Sequence, residues 1–531
     1  MSAIQALPGV GGAVLAHGRM LGLAGAFVIY QCILRWRYRP RSVAIVPGAW
    51  QWLLGFNPSM GLELIRHAAR KMHLEWSVGM HDAHGKTFAA KPPGSPWWVM
   101  TRCPKNIEHI LSTNFDNYPK GSFNCDRLRE LLGRGIFVTD GAEWFHQRKT
   151  ASKMFTARLF KDHIWVQVQS NAQKMVRLLE ASPARQPVDM FNVLNRFTLD
   201  TIGQIGFGKC IGSLDDPTSP FLHSFDRAQQ ISFGRFIYPG WRLWRLLRCG
   251  PEKESVEHFG RLDAYSRDAV RELRAALAAS SPSAKGADLG APGADEIAGV
   301  ADAEAQRSFL GLFLADARKR GEELGEDFLR DLVLNFLIAG RDTTAQALSW
   351  AIFCLARDPA AAERARREVA EVCGASEPTY EDINRLRYVQ AVISEALRLY
   401  PSVPLDIKVA QGDDVWPDGT QVRKGNIIWY NIYALGRDAN VWGDDAREFR
   451  PERWLSMASA PDNYVFPVFN AGPRECLGKR LAQVEMKTCL AMLLPRFDFR
   501  LAVPEKDITT DGQLTIGMGI GLPCYVEPRA A

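Results

Sequence analysis

The C-terminal half of this 531-residue chain contains no histidine, since all ten lie at or before His258. A metal bound there takes sulfur rather than imidazole as its protein ligand. The ten cysteines form no Cys-x-x-Cys pair and show no even spacing. That excludes a zinc ribbon or a disulfide scaffold and suits a reducing compartment. Dense Lys/Arg runs interleaved with aromatics are also missing, and the formal net charge is only +6, so no nucleic acid is expected as a partner. The mild positive excess suits an acidic protein partner or an anionic membrane surface. His81 and His84 read as solvated loop residues rather than a metal pair, because a site needs three or four ligands.

Long apolar runs are scarce too, although 47% of the residues are hydrophobic. The one run of note is Ala13 to Leu34, densest from Met20 to Tyr30, which is about the ~20 residues needed to cross a bilayer. Arg35, Arg37, Arg39 and Arg41 follow it directly. Positive flanks stay cytoplasmic, so residues 1–40 read as one N-terminal transmembrane helix with a basic flank, leaving the bulk of the chain in the cytosol. A transit peptide competes, because the N-terminus lacks acidic residues. Residues 279–306 turn to Ala, Gly, Ser, Pro and Asp and read as an exposed connector inside a single domain spanning 41–531.

The densest chemical signal is Phe469-Asn470-Ala471-Gly472-Pro473-Arg474-Glu475-Cys476-Leu477-Gly478. One cysteine sits in a glycine-rich loop, with Arg474 two residues before it and an apolar helix pattern from Leu481 to Leu494 directly after it. Glycine lets backbone approach a flat ligand and take dihedrals that a side chain forbids. The unpaired amides of the following helix point back at the sulfur and favour a thiolate. A lone cysteine is usually a small buried hydrophobe, so the surroundings carry the argument. A thiolate so placed suits a haem iron, where sulfur donates electron density that favours O–O cleavage. Phe469, Gly472, Arg474, Cys476 and Gly478 stand at the offsets of Phe-x-x-Gly-x-Arg-x-Cys-x-Gly. In this pattern the chain resembles the cytochrome P-450 superfamily.

Other stretches prepare further parts of a site. Trp144 and Arg148 are four apart and share a face of a helix. Arg196 to Gly208 reads as a helix stopped by glycine. Glu326 to Arg357 reads as one uninterrupted helix of about 48 Å, ended by Asp358-Pro359. In its middle, Ala339-Gly340-Arg341-Asp342-Thr343-Thr344 sets a glycine near a threonine whose hydroxyl reaches the Ala339 carbonyl, a local defect that makes a notch. Asn384 to Tyr400 is a further helix, on which Glu395 and Arg398 are neighbours. Asp418-Gly419 signals a hairpin between two β-rich runs, the second being Asn426 to Tyr430. After Phe497 the ending is short and strand-like.

The resemblance implies a mainly α fold with a small β region, the cytochrome P-450 fold. It implies haem b (iron protoporphyrin IX) with Cys476 as axial ligand of the iron. Trp144, Arg148, Lys408 and Arg474 are then expected at the haem propionates, with Phe469, Gly472 and Gly478 forming the cysteine loop. Asp342 and Thr343 are expected to deliver protons during oxygen activation. Glu395, Arg398 and Arg453 of Phe449-Arg450-Pro451-Glu452-Arg453-Trp454 are expected to form a buried structural triad, with Trp454 in place of the commoner phenylalanine. The implied partners are O2, an NADPH-cytochrome reductase and a lipophilic substrate, and the implied location is the cytosolic face of the endoplasmic reticulum membrane. Finer stretches, among them Pro404 to Lys408, Asp413 to Thr420 and Trp442 to Asp445, look like the plant and fungal fatty-acid ω-hydroxylases. Ile136, Phe137, Val138, Phe336, Val403, Leu405 and Ile516 are the expected pocket walls, and Leu514 to Met518 is expected to return to the pocket. Animal fatty-acid ω-hydroxylases often carry a glutamate where this chain has Ala339, so haem is expected without a covalent link. A haem-thiolate isomerase or dehydratase, or a haem carrier or sensor, remains a competing class. The first typically loses the Asp-Thr pair, and the second leaves it without a purpose.

Overall fold

The computed structural model describes residues 37–48, 56–155, 160–183, 185–208, 211–217, 220–238, 240–279, 308–374 and 376–529. The apolar run 13–34 lies outside them, as does nearly all of the connector 279–306. Among the described residues no helix is long and apolar enough to cross a membrane.

Helices dominate, and their ends follow from sequence. Asp189 caps the Met190–Phe207 helix by accepting from the amides of Phe191 and Asn192, and Gly208 closes it in the left-handed region at φ +68°. Asp358 ends the Thr343–Arg357 helix and, by accepting from the Ala361 amide at 2.9 Å, begins the Pro359–Cys373 helix. The Met190–Phe207 helix is buried on nearly every face. It shares one large core with the Thr343–Arg357, Arg387–Leu399 and Lys479–Leu493 helices. Its buried polar side chains are bonded locally, Asp200 accepting from the Ser213 and Leu214 amides and Arg196 donating to the Ser213 carbonyl.

The β region lies to one side. Five strands make a mixed sheet in the order Ala44–Ile45, Thr87–Ala90, Trp98–Thr101, Ile427–Asn431, Leu405–Val409. Its last pair is antiparallel and sets Asp406 opposite Tyr430 and Lys408 opposite Ile428. Phe497–Leu501, Pro523–Pro528 and Val188–Asp189 form a three-stranded sheet, so the strand-like ending is real.

Several expectations are corrected. The Asp418-Gly419 turn joins Asp414–Val415 to Gln421–Val422, and Ile427–Asn431 belongs to the large sheet instead. A turn at Asp418-Gly419 was legible, but which run pairs across it was not. The long helix from Glu326 to Arg357 is interrupted by a π turn at Ile338–Asp342. His81 and His84 lie on the His73–His84 helix. His81 is fully buried edge-on against Phe88, at 4.9 Å between ring centroids.

Candidate active site

The cysteine loop is built by short-range bonds. The Cys476 amide donates to the Phe469 carbonyl at 2.8 Å, closing a loop whose two ends are the 3-10 turns Pro467–Phe469 and Gly472–Arg474. Gly472 has φ +61°, and a Cβ there would collide with the Leu111 carbonyl, so glycine is required. Gly478 has an ordinary φ of −83° and precedes the Lys479–Leu493 helix. Its amide faces the Cys476 sulfur, and its missing side chain would meet only that sulfur, at 3.8 Å. Cys476 is accessible although its thiol is deep among protein atoms, so it opens inward. Burial pushes the thiol up, while the Gly478 amide and the Arg148 guanidinium pull it down.

Cations converge on the same region. Trp144 and Arg148 lie on the Gly141–Ser152 helix, with the Arg148 guanidinium 6.0 Å from the Trp144 ring centroid. Arg474 stacks on that ring at 4.3 Å. Its Nη2 donates to Asp140 at 2.7 Å and to the Thr139 carbonyl at 2.8 Å, but its Nε is buried with no partner. Lys408 is fully buried and its Nζ also has no partner. Burial, and then Lys120, hold its pKa well below the usual lysine range. Two buried basic nitrogens without partners call for anionic oxygens, which would also favour the charged form of Lys408. A flat macrocycle bearing two propionates supplies them, and the inward-opening thiol suits its iron. The residues therefore fit haem.

Sequence reasoning missed Asp406, Lys120 and Tyr430. Lys120 Nζ donates to Asp406 Oδ1 at 2.5 Å, and the Tyr430 hydroxyl donates to Asp406 Oδ2. Burial alone would raise the Asp406 carboxyl, but Lys120 and Lys408 hold it well below the usual range. Its signal was present: on a strand, Asp406 shares a face with Lys408. Nothing in the sequence singled out Lys120.

A cavity of about 240 Å³ opens beside the π turn. Ala339 and Thr343 line it, together with Leu132, Phe137, Ile338, Val403 and Leu405. Of the expected walls, Phe137, Val403 and Leu405 are correct. Ile136, Val138, Phe336 and Ile516 do not line this cavity. Phe336 stacks on Phe309 at 4.3 Å, and the Ile516 carbonyl accepts from the Trp350 indole. Leu514 and Thr515 do reach the cavity, from the turn between the Thr510–Gly512 and Ile516–Met518 strands.

The Thr343 hydroxyl donates to the Ala339 carbonyl at 2.7 Å. The notch is the π turn itself. Gly340 faces the Met190–Phe207 helix, where a Cβ would lie 2.5 Å from Ile202 Cγ1. Thr198 on the same helix donates to the Arg341 carbonyl at 2.9 Å and buttresses the turn. Asp342, the last residue of the π turn, is buried and does not line the cavity. Its Oδ1 accepts from Arg341 at 2.7 Å, and its Oδ2 has no hydrogen-bond partner. Arg341 also reaches Asp226 at 2.6 Å. Burial outweighs Arg341 and raises the Asp342 carboxyl to about 6.

Behind the cysteine side, Glu395, Arg398 and Arg453 are joined and buried. Arg398 donates from Nε and Nη2 to the two Glu395 oxygens at 2.8 and 2.7 Å, and Arg453 Nε approaches at 3.4 Å. Arg398 also donates to the carbonyls of Ala446 and Glu448, and Arg453 to that of Trp442. The cluster thereby ties the Arg387–Leu399 helix to the segment that precedes the cysteine loop.

With this geometry in hand, a model of the cytochrome P450 family matches residues 58–522. Cytochrome P450 86B1 of Arabidopsis thaliana is 35% identical over 475 residues, covering 84% of this chain and 80% of the relative. Cytochrome P450 CYP94D108 of Paris polyphylla is 32% identical over 492 residues, covering 89% and 92%. Cytochrome P450 94A1 of Vicia sativa is 33% identical over 451 residues, covering 81% and 82%.

Proposed function

This chain belongs to the cytochrome P450 family of haem-dependent monooxygenases, and from that premise we propose that it hydroxylates a fatty acid at or near its terminal carbon. The observation that carries the reading is the mainly apolar cavity lined by Ala339 and Thr343, whose lining suits an alkyl chain. The resemblance of Pro404 to Lys408 and Asp413 to Thr420 to plant and fungal fatty-acid ω-hydroxylases supports it, and plant relatives of the P450 86 and 94 groups are in keeping with it.

Bound haem supplies oxygen activation and the oxidising power to replace C–H by C–OH. The roles of the chain's own residues are as follows. Cys476 holds the iron through its sulfur, and the Gly478 amide faces that sulfur and moderates its charge. Lys408, Arg474 and Arg148 would hold the propionates, with the Trp144 ring beside both arginines. Thr343 lines the cavity while its hydroxyl donates to the Ala339 carbonyl, which leaves the oxygen's lone pairs able to accept. Asp342, the last residue of the π turn, has its carboxyl raised to about 6 by burial and exchanges protons near neutral pH. Phe137, Val403 and Leu405 exclude water and confine the chain.

Electrons come from a reductase, for which we take the NADPH-cytochrome type. The segment 13–34 with its arginine flank serves as the anchor to the endoplasmic reticulum, and 41–531 is one catalytic domain whose haem is held without a covalent link. The test is to incubate the reductase-reconstituted protein with lauric to stearic acids and map the hydroxyl by mass spectrometry. Terminal or near-terminal alcohols are expected. Products from sterols or terpenes alone would overturn the substrate assignment, and turnover without NADPH and O2 would favour an isomerase.

A further inference from the structure

A second cavity, of about 510 Å³, adjoins the first: Leu64, Trp98, Phe236 and Ile237 line both. Its wall carries Arg127, Arg235 and Arg242 and no carboxylate. Two of these arginines are already neutralised from outside the cavity. Arg235 pairs with Glu130 at 2.6 Å and Glu252 at 2.7 Å, and Arg242 pairs with Asp126 at 2.7 Å. Arg127 has no carboxylate partner among the described residues. Its Nε donates to the Arg235 carbonyl at 3.0 Å and its Nη1 to the Phe123 carbonyl at 2.7 Å. Its guanidinium lies 3.6 Å from the Phe123 ring centroid and 5.5 Å from that of Phe236. Two carbonyls and two rings therefore fix the group, and no carboxylate among the described residues pairs with it, Asp126 acting on it only from a distance. A preorganised guanidinium of this kind loses little freedom when it takes an anion.

We propose that Arg127 binds the carboxylate of a long-chain acid whose alkyl chain passes Leu64, Trp98, Phe236 and Ile237 and ends at Ala339 and Thr343. This deepens the fatty-acid reading and rests on it. One cavity is lined by cations and adjoins, through Leu64, Trp98, Phe236 and Ile237, a second that is largely apolar and that Ala339 and Thr343 also line. An amphiphile with one anionic end matches that order. Fixing the head group fixes which carbon reaches Thr343, so the arginine serves selectivity as well as affinity.

The test uses the ferric holoprotein titrated with hexadecanoic acid and with hexadecan-1-ol, read by the shift of the haem Soret band. Arg127→Gln should weaken the acid about 10- to 100-fold, the range expected for losing a charged hydrogen bond. The alcohol should change less than about threefold, and Arg127→Lys, which keeps the charge but not the fixed fork, should restore part of the acid affinity. Equal loss for acid and alcohol would reduce Arg127 to a packing role and overturn the proposal, as would unchanged acid affinity in Arg127→Gln. Flotation with phosphatidylserine vesicles covers the other anionic source. Loss of vesicle binding in Arg127→Gln with acid affinity intact assigns the arginine to a lipid phosphate, also against the proposal. A wild-type protein that answers neither acid nor alcohol defeats the fatty-acid reading itself, a result distinct from any variant effect.

Discussion

The Trp454 indole N–H donates to Glu395 Oε2 at 2.9 Å, inside the ion cluster that Glu395 forms with Arg398 and Arg453. The Arg450 amide adds a donor to Oε1 at 2.9 Å. The tryptophan is therefore part of the solvation of a buried carboxylate, a role a phenylalanine cannot fill. Trp454→Phe is expected to cost about 1–2 kcal/mol, because a bond to a charged acceptor is lost. Glu395→Gln should cost more, about 3–5 kcal/mol, since two arginines are left buried beside a neutral amide. Thermal unfolding of the holoprotein measures both. A Trp454→Phe variant as stable as the parent would show that the bond contributes nothing.

Lys408 gives a prediction of opposite signs. A buried ammonium without a partner destabilises the chain until an anion arrives. Lys408→Met should leave the haem-free protein at least as stable as the parent and weaken haem retention by about tenfold or more. Apomyoglobin transfer kinetics and denaturant melts of the haem-free protein separate the two effects. Equal haem retention would remove Lys408 from the propionate site.

Gly340 tests the packing of the π turn. Gly340→Ala brings a methyl to 2.5 Å from Ile202 Cγ1 and should cost about 1–3 kcal/mol by overpacking. Shortening the opposing side chain with Ile202→Ala in the same protein should recover part of that loss. Additive losses would mean that the two positions do not meet.

His81 sets an acid limit on stability. Burial and the nearby Arg102 lower its pKa from 6.5 to about 4, while the Gly85 carbonyl, Asp82 and Asp438 oppose them. The unfolded chain binds the proton more readily, so this contribution is complete above pH 6.5 and is lost as the pH falls towards 4, by about 2–3 kcal/mol. His73, lowered to about 4 by burial, acts in the same direction. In His81→Gln the stability profile between pH 6.5 and 4 should flatten by about one proton. An unchanged slope would contradict the assignment.

The legible parts were those fixed by local chemistry. The cysteine loop, the Thr343 bond to Ala339 and the Glu395–Arg398 pair follow from spacing within one element. The reach of Arg453 to Glu395 crosses between elements and came from the family resemblance. The illegible parts depend on which distant surfaces meet. The partner of Gly340 is Ile202, some 140 residues earlier in the chain, and no pattern around Gly340 specifies it. Ile136, Val138, Phe336 and Ile516 are apolar and lie near wall residues in sequence, but apolar character does not say whether a side chain faces a cavity or the core. Phe336 shows the ambiguity: one turn of helix separates it from Ala339, and it stacks on Phe309 instead. Arg127 was silent for a related reason, since being unpaired is a property of the assembled fold.

The account depends most on Cys476 as the sulfur ligand of haem iron. Its direct test is the absorption spectrum of the dithionite-reduced protein under carbon monoxide. The parent should show the red-shifted Soret band of thiolate-ligated ferrous haem, and Cys476→His should lose that band while Cys489→Ala, at a core cysteine, keeps it. The same band in parent and Cys476→His would contradict the account.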